Sequence, residues 1–250
     1  MQIITAAVIK GGTGKTTTCA ALAQAAAAAG KKVLAIDLDP QANLTFALGA
    51  DQNRPGSYEL LHDTPAGDLM QDTPQRITVI SASPDLSAER STPGSAKRLQ
   101  RALQPVQAQF DLIVIDTPPT LGELQFNALQ AATGLLIPLE ADTFSLQGLY
   151  QITDIAERMT RSNPDLQILG VVLTRYNSRP KINRYLREAI AERGAEIGAP
   201  TIAVIRAGIA AAEAAAMQQS LFDYAPGSNP AQDYKALYDF IMEGEQTNGK

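Results

Sequence analysis

The sequence predicts an α/β domain, a mostly parallel twisted sheet with helices on both faces. Three observations predict it. Short apolar runs of four to seven residues alternate with helical stretches almost throughout. A glycine-rich stretch, Lys10-Gly11-Gly12-Thr13-Gly14-Lys15-Thr16-Thr17, stands between the first apolar run, 3–9, and an Ala-rich segment, 18–29. Two later apolar runs, 33–36 and 112–115, close on aspartates. No linker-like break interrupts the 250 residues, so one domain, 1–250, is expected, with a polar tail at 243–250 expected to fray.

The elements follow in order. Residues 3–9 are apolar on both faces, as a buried parallel strand is. Residues 16–29 have high helix propensity, and Gly30 stands where helices stop. The strand at 33–36 ends in Asp37-Leu38-Asp39-Pro40. Two short helices, 42–48 and 57–62, and a strand at 77–80 are expected next. Helical spacing of Leu99, Leu103 and Val106 predicts a helix over 95–110, bent or ended at Pro105. The strand at 112–115 closes on Asp116-Thr117-Pro118-Pro119. A helix at 121–132 precedes a strand at 135–139, whose Pro138 predicts an edge strand or an irregular end. Helix 145–161, strand 168–173, helix 180–193, strand 202–205 and helices 209–219 and 233–242 complete the chain.

Composition narrows the function. The formal charge is −5, so the chain does not coat nucleic acid over its whole surface, although a local basic face is compatible with it. One cysteine, Cys19, excludes an internal disulfide framework and a Cys-ligated cluster within one chain, and a reducing cytoplasmic setting is expected. No run approaches the roughly 18 apolar residues that span a bilayer, and the N-terminus lacks the pattern of a secretory signal. Cys19 reads as a small core residue and His62 as a surface residue.

The glycine-rich stretch carries the chemistry. Glycines let the backbone curl closely around a polyanion, and the following helix adds the positive end of its dipole. Lys15 supplies a point charge for β/γ-phosphates, and the Thr16 hydroxyl can ligate Mg²⁺. The strict phosphate-loop pattern requires glycine where this chain has Ile9, and Lys10 heads the loop instead. Carboxylates at the C-terminal ends of parallel strands sit where open α/β sheets place ligands. Asp116 suits water-mediated metal binding, and Asp37 or Asp39 can orient an attacking water.

Lys10-Gly-Gly-Thr-Gly-Lys-Thr-Thr17, Asp37-Leu-Asp39-Pro-Gln-Ala-Asn43, Val114-Ile-Asp116-Thr-Pro-Pro119 and Gly170-Val-Val-Leu-Thr174 together resemble the ParA/MinD family of deviant Walker A ATPases. The resemblance covers nearly the whole chain, and Asp39-Pro40-Gln41 favours the ParA (Soj-like) partition branch. It implies a phosphate-loop NTPase fold, ATP and Mg²⁺ as cofactors, and a homodimer that sandwiches two ATP molecules. It implies that Lys10 reaches the partner's phosphates, acting in trans like an arginine finger. Loop residues Lys10 to Thr17 would hold the nucleotide, with Thr16, Asp39 and Asp116 around the metal and Asp39 positioning the water. Base contacts are expected near Arg175, Ile205 and Arg206.

The same resemblance implies non-specific binding of double-stranded DNA by the ATP-bound dimer, nucleoid association, and stimulation by a ParB-like partner. Candidate DNA contacts are Arg175, Arg179, Lys181, Arg184, Arg187 and Arg206, the first and last shared with the base site; a solvated helix face is the competing reading of this charge cluster. Cargo stays open between plasmid, chromosome, integrated element and protein cluster. A MinD-like membrane switch would require a basic amphipathic C-terminal helix, but the tail is acidic and polar. An iron–sulfur carrier would require paired cysteines, and a metabolic ligase or kinase on this fold would not require Lys10. The chain opens on its first strand, so no N-terminal helix-turn-helix is expected.

Overall fold

Apolar runs buried on both faces pair in parallel and force the connecting helices to cover the sheet on two sides. The computed structural model describes the backbone of residues 1–248 and the side chains through 243. Its elements are β1 (Gln2–Ala6), α1 (Lys15–Ala28), β2 (Val33–Asp37), α2 (Asn43–Ala47), α3 (Ser57–Leu61), α4 (Ala66–Leu69), β3 (Gln71–Asp72), β4 (Thr78–Ile80), α5 (Arg98–Leu103) and β5 (Leu112–Asp116). There follow α6 (Glu123–Ala131), β6 (Gly134–Leu139), α7 (Ser145–Met159), β7 (Gln167–Tyr176), α8 (Lys181–Glu196), β8 (Thr201–Arg206), α9 (Ala210–Ala216), α10 (Leu221–Tyr224) and α11 (Asn229–Asn248). The eight strands form one sheet in the order β3-β4-β2-β5-β1-β6-β7-β8. Every pairing is parallel except β3 with β4.

Side-chain alternation splits the core into two layers. Ile3, Ile36, Ile113, Ile137 and Leu173 face one cluster, with α6, α7 and α8 packed over that side. Ile4, Ala35, Val114, Leu136 and Val172 face the other, covered by α1 and α11. Helix α1 is buried nearly throughout, and its alanines let it lie close to the sheet and to α11 at once. The register aligns Ala6, Asp37 and Asp116 across three neighbouring strands. The loop after β1 and the acids after β2 and β5 therefore meet at one edge, as ligand sites of open α/β sheets do.

Four expectations change. β1 ends at Ala6, three residues before Ile9, because the chain turns early into the glycine-rich loop. The helix expected over 95–110 is broken into short 3₁₀ turns, Ser95–Lys97 and Gln107–Gln109, around α5, with Pro105 at the break. β6 is an interior strand, between β1 and β7, and not an edge. Pro138 is tolerated there because β1 pairs with β6 only as far as Ala6 opposite Leu136. Its missing N–H falls beyond the last ladder bond on that side. Helix α11 begins earlier than expected and runs through the start of the predicted frayed tail to Asn248; residues 249–250 of that tail lie outside the described residues.

Candidate functional site

Seven of the eight loop residues, all but Lys10, line a cavity of about 580 Å³ at the C-terminal edge of the sheet. Gly12 and Gly14 take left-handed backbone angles, φ +77° and +86°, which bend the loop round its own amides. A Cβ on Gly14 would also stand 3.2 Å from the Thr174 methyl. The Thr174 hydroxyl, shared with the Leu139 carbonyl, donates to the Thr13 carbonyl at 2.8 Å and ties the loop to β6 and β7. The buried Thr13 hydroxyl has no hydrogen-bond partner among the described residues.

Lys15 is only 6% exposed, and its Nζ donates to the Lys10 carbonyl at 2.9 Å. Burial lowers its pKa, against the opposing pull of Asp116 and Asp39. The Thr16 hydroxyl donates to Asp116 Oδ2 at 2.6 Å, and the Thr117 amide donates to Asp116 Oδ1 at 3.0 Å. Asp116 is fully buried, and burial together with Asp37 pushes its pKa up to about 8, although Thr16 and Lys15 pull it down. A divalent cation held there would replace the proton this carboxyl otherwise keeps.

The structure separates the two acids after β2. Asp37 is saturated by its own chain: it accepts from the Asp39 amide at 3.0 Å and from the Thr45 amide and hydroxyl at 2.8 and 2.9 Å. Burial raises its pKa to about 6, and those hydrogen bonds oppose the rise. Asp37 thus anchors α2. Asp39 lines the cavity, with Oδ1 receiving the Gln41 amide at 3.0 Å, and so faces the space where a water would be placed.

Lys10 does not line its own cavity; its amine contacts Asp142 in the loop after β6. That contact and the hydrogen bond from the Phe144 amide hold the Asp142 carboxyl below its ordinary pKa, outweighing burial, which acts alone in the opposite direction and is the largest single influence. Arg175 does line the cavity. It sits at φ +48°, where the register of β7 with β8 shifts, and its guanidinium donates to Glu140 at 2.9 Å.

Two expected base contacts are not brought to the cavity. Ile205 is 3% exposed, with its side chain in the core. Strand alternation explains this, since its neighbours Val204 and Arg206 point the other way. The Arg206 guanidinium does not line the cavity; it is 47% exposed and forked onto Asp233 at 2.8 to 3.1 Å. The cavity takes apolar lining instead from Phe46, Ala211, Ala214, Ala215 and Leu221, on α2, α9 and α10. No periodicity in the sequence marked these residues as a lining. Arg179, Lys181, Arg184 and Arg187 are exposed at the start of α8, and Arg187 lies 5.4 Å over the Tyr176 ring. Cys19 is buried, its thiol 3.5 Å from the Ile115 carbonyl and its pKa pushed well up by burial and by Asp116. Among the described residues no group of three His, Cys, Asp or Glu forms a metal cluster. Mg²⁺ needs none when a hydroxyl, one carboxylate, waters and phosphate oxygens share it. The cradle, the unpartnered Thr13 hydroxyl and the Thr16–Asp116 pair fit a magnesium-bound polyphosphate.

A parallel sheet with a glycine cradle, a buried lysine and a strand-end aspartate defines a phosphate-loop nucleotide-binding domain, and residues 1–168 match the family described as "AAA domain". Chromosome partitioning protein ParA of Myxococcus xanthus is 40% identical over 190 residues, 72% of this chain and 67% of that one. Chromosome-partitioning ATPase Soj of Thermus thermophilus is 34% identical over 236 residues, 93% and 92% of the two chains. The chain belongs to this ParA/Soj family. Among solved structures, a cobyrinic acid a,c-diamide synthase of Mycobacterium smegmatis with bound ADP and magnesium is 30% identical, with TM-score 0.81 over 100% of this chain and 97% of that one. An ATP complex of McdA from Cyanothece is 25% identical, with TM-score 0.85 over 97% and 96%.

Proposed function

We propose that this chain is a Mg²⁺-dependent DNA-partitioning ATPase, switched by pairing of two copies. The carrying observation is the division between its lysines. Lys15, Thr16 and Asp39 line one cavity, with buried Asp116 held behind Thr16, while Lys10 is turned out of the cavity onto Asp142.

Loop amides and Lys15 hold the β- and γ-phosphates of ATP. Thr16, Asp116 and Asp39 would hold Mg²⁺, which would supply charge neutralisation for the phosphates. Asp39 orients the attacking water by accepting its hydrogen bond. Lys10 of a second copy adds a positive charge as negative charge develops on the transferring group, so hydrolysis waits for assembly. Arg179, Lys181, Arg184 and Arg187 give the pair a basic face for DNA phosphates, with no sequence readout. A ParB-like partner accelerates hydrolysis and resets the cycle on the nucleoid. Nothing in this scheme requires a membrane, and no helix among the described residues is long and apolar enough to cross one.

Retention on non-specific duplex DNA, with and without ATP and across a salt titration, tests the proposal. ATP-dependent binding that weakens with salt is expected. Binding that ignores ATP, or is absent at low salt, refutes it and leaves a metabolic ATPase on this fold.

A further inference from the structure

We propose that Asp142 is the positioning residue for Lys10: it keeps the lysine amine within its own chain and so sets the threshold at which two copies pair. The inference rests on the in-trans role of Lys10 in the proposed function and adds a residue that restrains it.

Asp142 is a prepared acceptor. Its Oδ1 takes the Phe144 amide at 2.9 Å, which leaves Oδ2 for Lys10. The turn around it is closed by the Asp142 amide on the Glu140 carbonyl at 2.9 Å and the Ser145 amide on the Asp142 carbonyl at 3.2 Å. The carboxylate is therefore aimed before the lysine arrives, and little side-chain freedom is lost in making the pair. The same loop directs Glu140 at Arg175, so one acidic turn holds both Lys10 and Arg175.

The backbone of Lys10 is held as well, because Lys15 donates to its carbonyl. A phosphate arriving in the cradle is a stronger partner for Lys15 than a neutral carbonyl. Nucleotide binding thus removes one of the two ties on Lys10, and Asp142 is the remaining one. The pair is about one-third exposed, 28% for Lys10 and 33% for Asp142, so its strength is modest. Freeing each lysine is worth about two- to fivefold, and a symmetric pair of copies frees two, so ~4- to 25-fold in the pairing equilibrium.

The test is Asp142→Asn, which keeps an oxygen for the Phe144 amide, with Asp142→Ser as a second variant whose hydroxyl can accept the same bond. ATP-dependent dimerisation is measured by sedimentation over a protein dilution series, and ATP affinity at dilutions where only single copies exist. Both variants are expected to dimerise at about 4- to 25-fold lower concentration, with single-copy ATP affinity within about twofold of the parent. In a Lys10→Ala background, Asp142→Asn is expected to add nothing. Unchanged or weaker dimerisation, or a gain that persists without Lys10, overturns the inference. Parental dimerisation and turnover by Lys10→Ala alone overturns the in-trans reading beneath it, and the single variant reveals that case separately.

Discussion

Lys15 is buried where almost no water reaches it, with a carbonyl as its hydrogen-bond partner, and burial pulls its pKa down. A triphosphate offers it what burial has removed. Lys15→Ala is expected to weaken ATP binding at least ~100-fold in an equilibrium titration, since bonds to charged groups are the strong ones; retained affinity would place the nucleotide elsewhere. Asp39 differs from Asp37 by two positions and by everything around it. Asp37 spends both oxygens on backbone and Thr45, whereas Asp39 borders the cavity. Asp39→Ala is expected to bind ATP normally and accumulate the ATP-bound dimer, with turnover down at least ~100-fold. Turnover equal to the parent's removes Asp39 from the mechanism. In the sequence alone both acids were candidates for the water. The resemblance selected Asp39, and the hydrogen-bond network around α2 supplies the physical reason. In the sequence Asp142, with Glu140 just past a strand end, reads equally as a dimer-interface residue and as a simple turn, and its pairing with Lys10, 132 positions away, leaves no local pattern.

At the scale of elements, β1, α1, β2 and β5 were legible because each carries its own pattern: a doubly buried apolar run, an Ala-rich helix, an acid at the strand end. α5 was not, because spacing of Leu99, Leu103 and Val106 is satisfied by one helical turn and a bend as well as by a long helix. Pro138 misled for a similar reason. Proline forbids one ladder bond, and only the length of the neighbouring strand decides whether that bond would have existed. The basic start of α8 was visible at spacings of three residues, and the structure leaves those side chains exposed. Arg184→Ala is expected to weaken ATP-dependent DNA retention equally on unrelated sequences and to reduce the log–log salt slope by about two, one for each copy of the pair. An unchanged slope would return this face to solvent. Arg206→Ala is expected to leave that slope unchanged, because its guanidinium is committed to Asp233.

For the whole molecule, two buried carboxyls one strand apart carry a cost that depends on pH. The Asp116 carboxyl has a pKa of about 8 in the folded chain against 3.8 in its ordinary state. Between those values the folded protein holds a proton that the unfolded chain has released. The nucleotide-free protein therefore loses stability as pH rises from about 4 to about 8 and levels off above, with Asp37 contributing up to about 6. Asp116→Asn can still accept from the Thr117 amide and can donate to Thr16. It is expected to flatten the profile by about 4 kcal/mol between pH 5 and 8 in denaturant melts, while losing Mg²⁺-dependent turnover. Parallel profiles would assign the pH dependence to another group. The sequence by itself determined the class of sheet, the cradle and the acids that face it, because strand burial, glycine-rich turns and strand-end aspartates are local patterns. Tertiary structure alone decided that Ile205 and Arg206 do not line the cavity, which apolar side chains do, and where Lys10 rests. Each of those depends on a partner brought close by the parallel crossovers, and residue spacing along the chain carries no record of that distance.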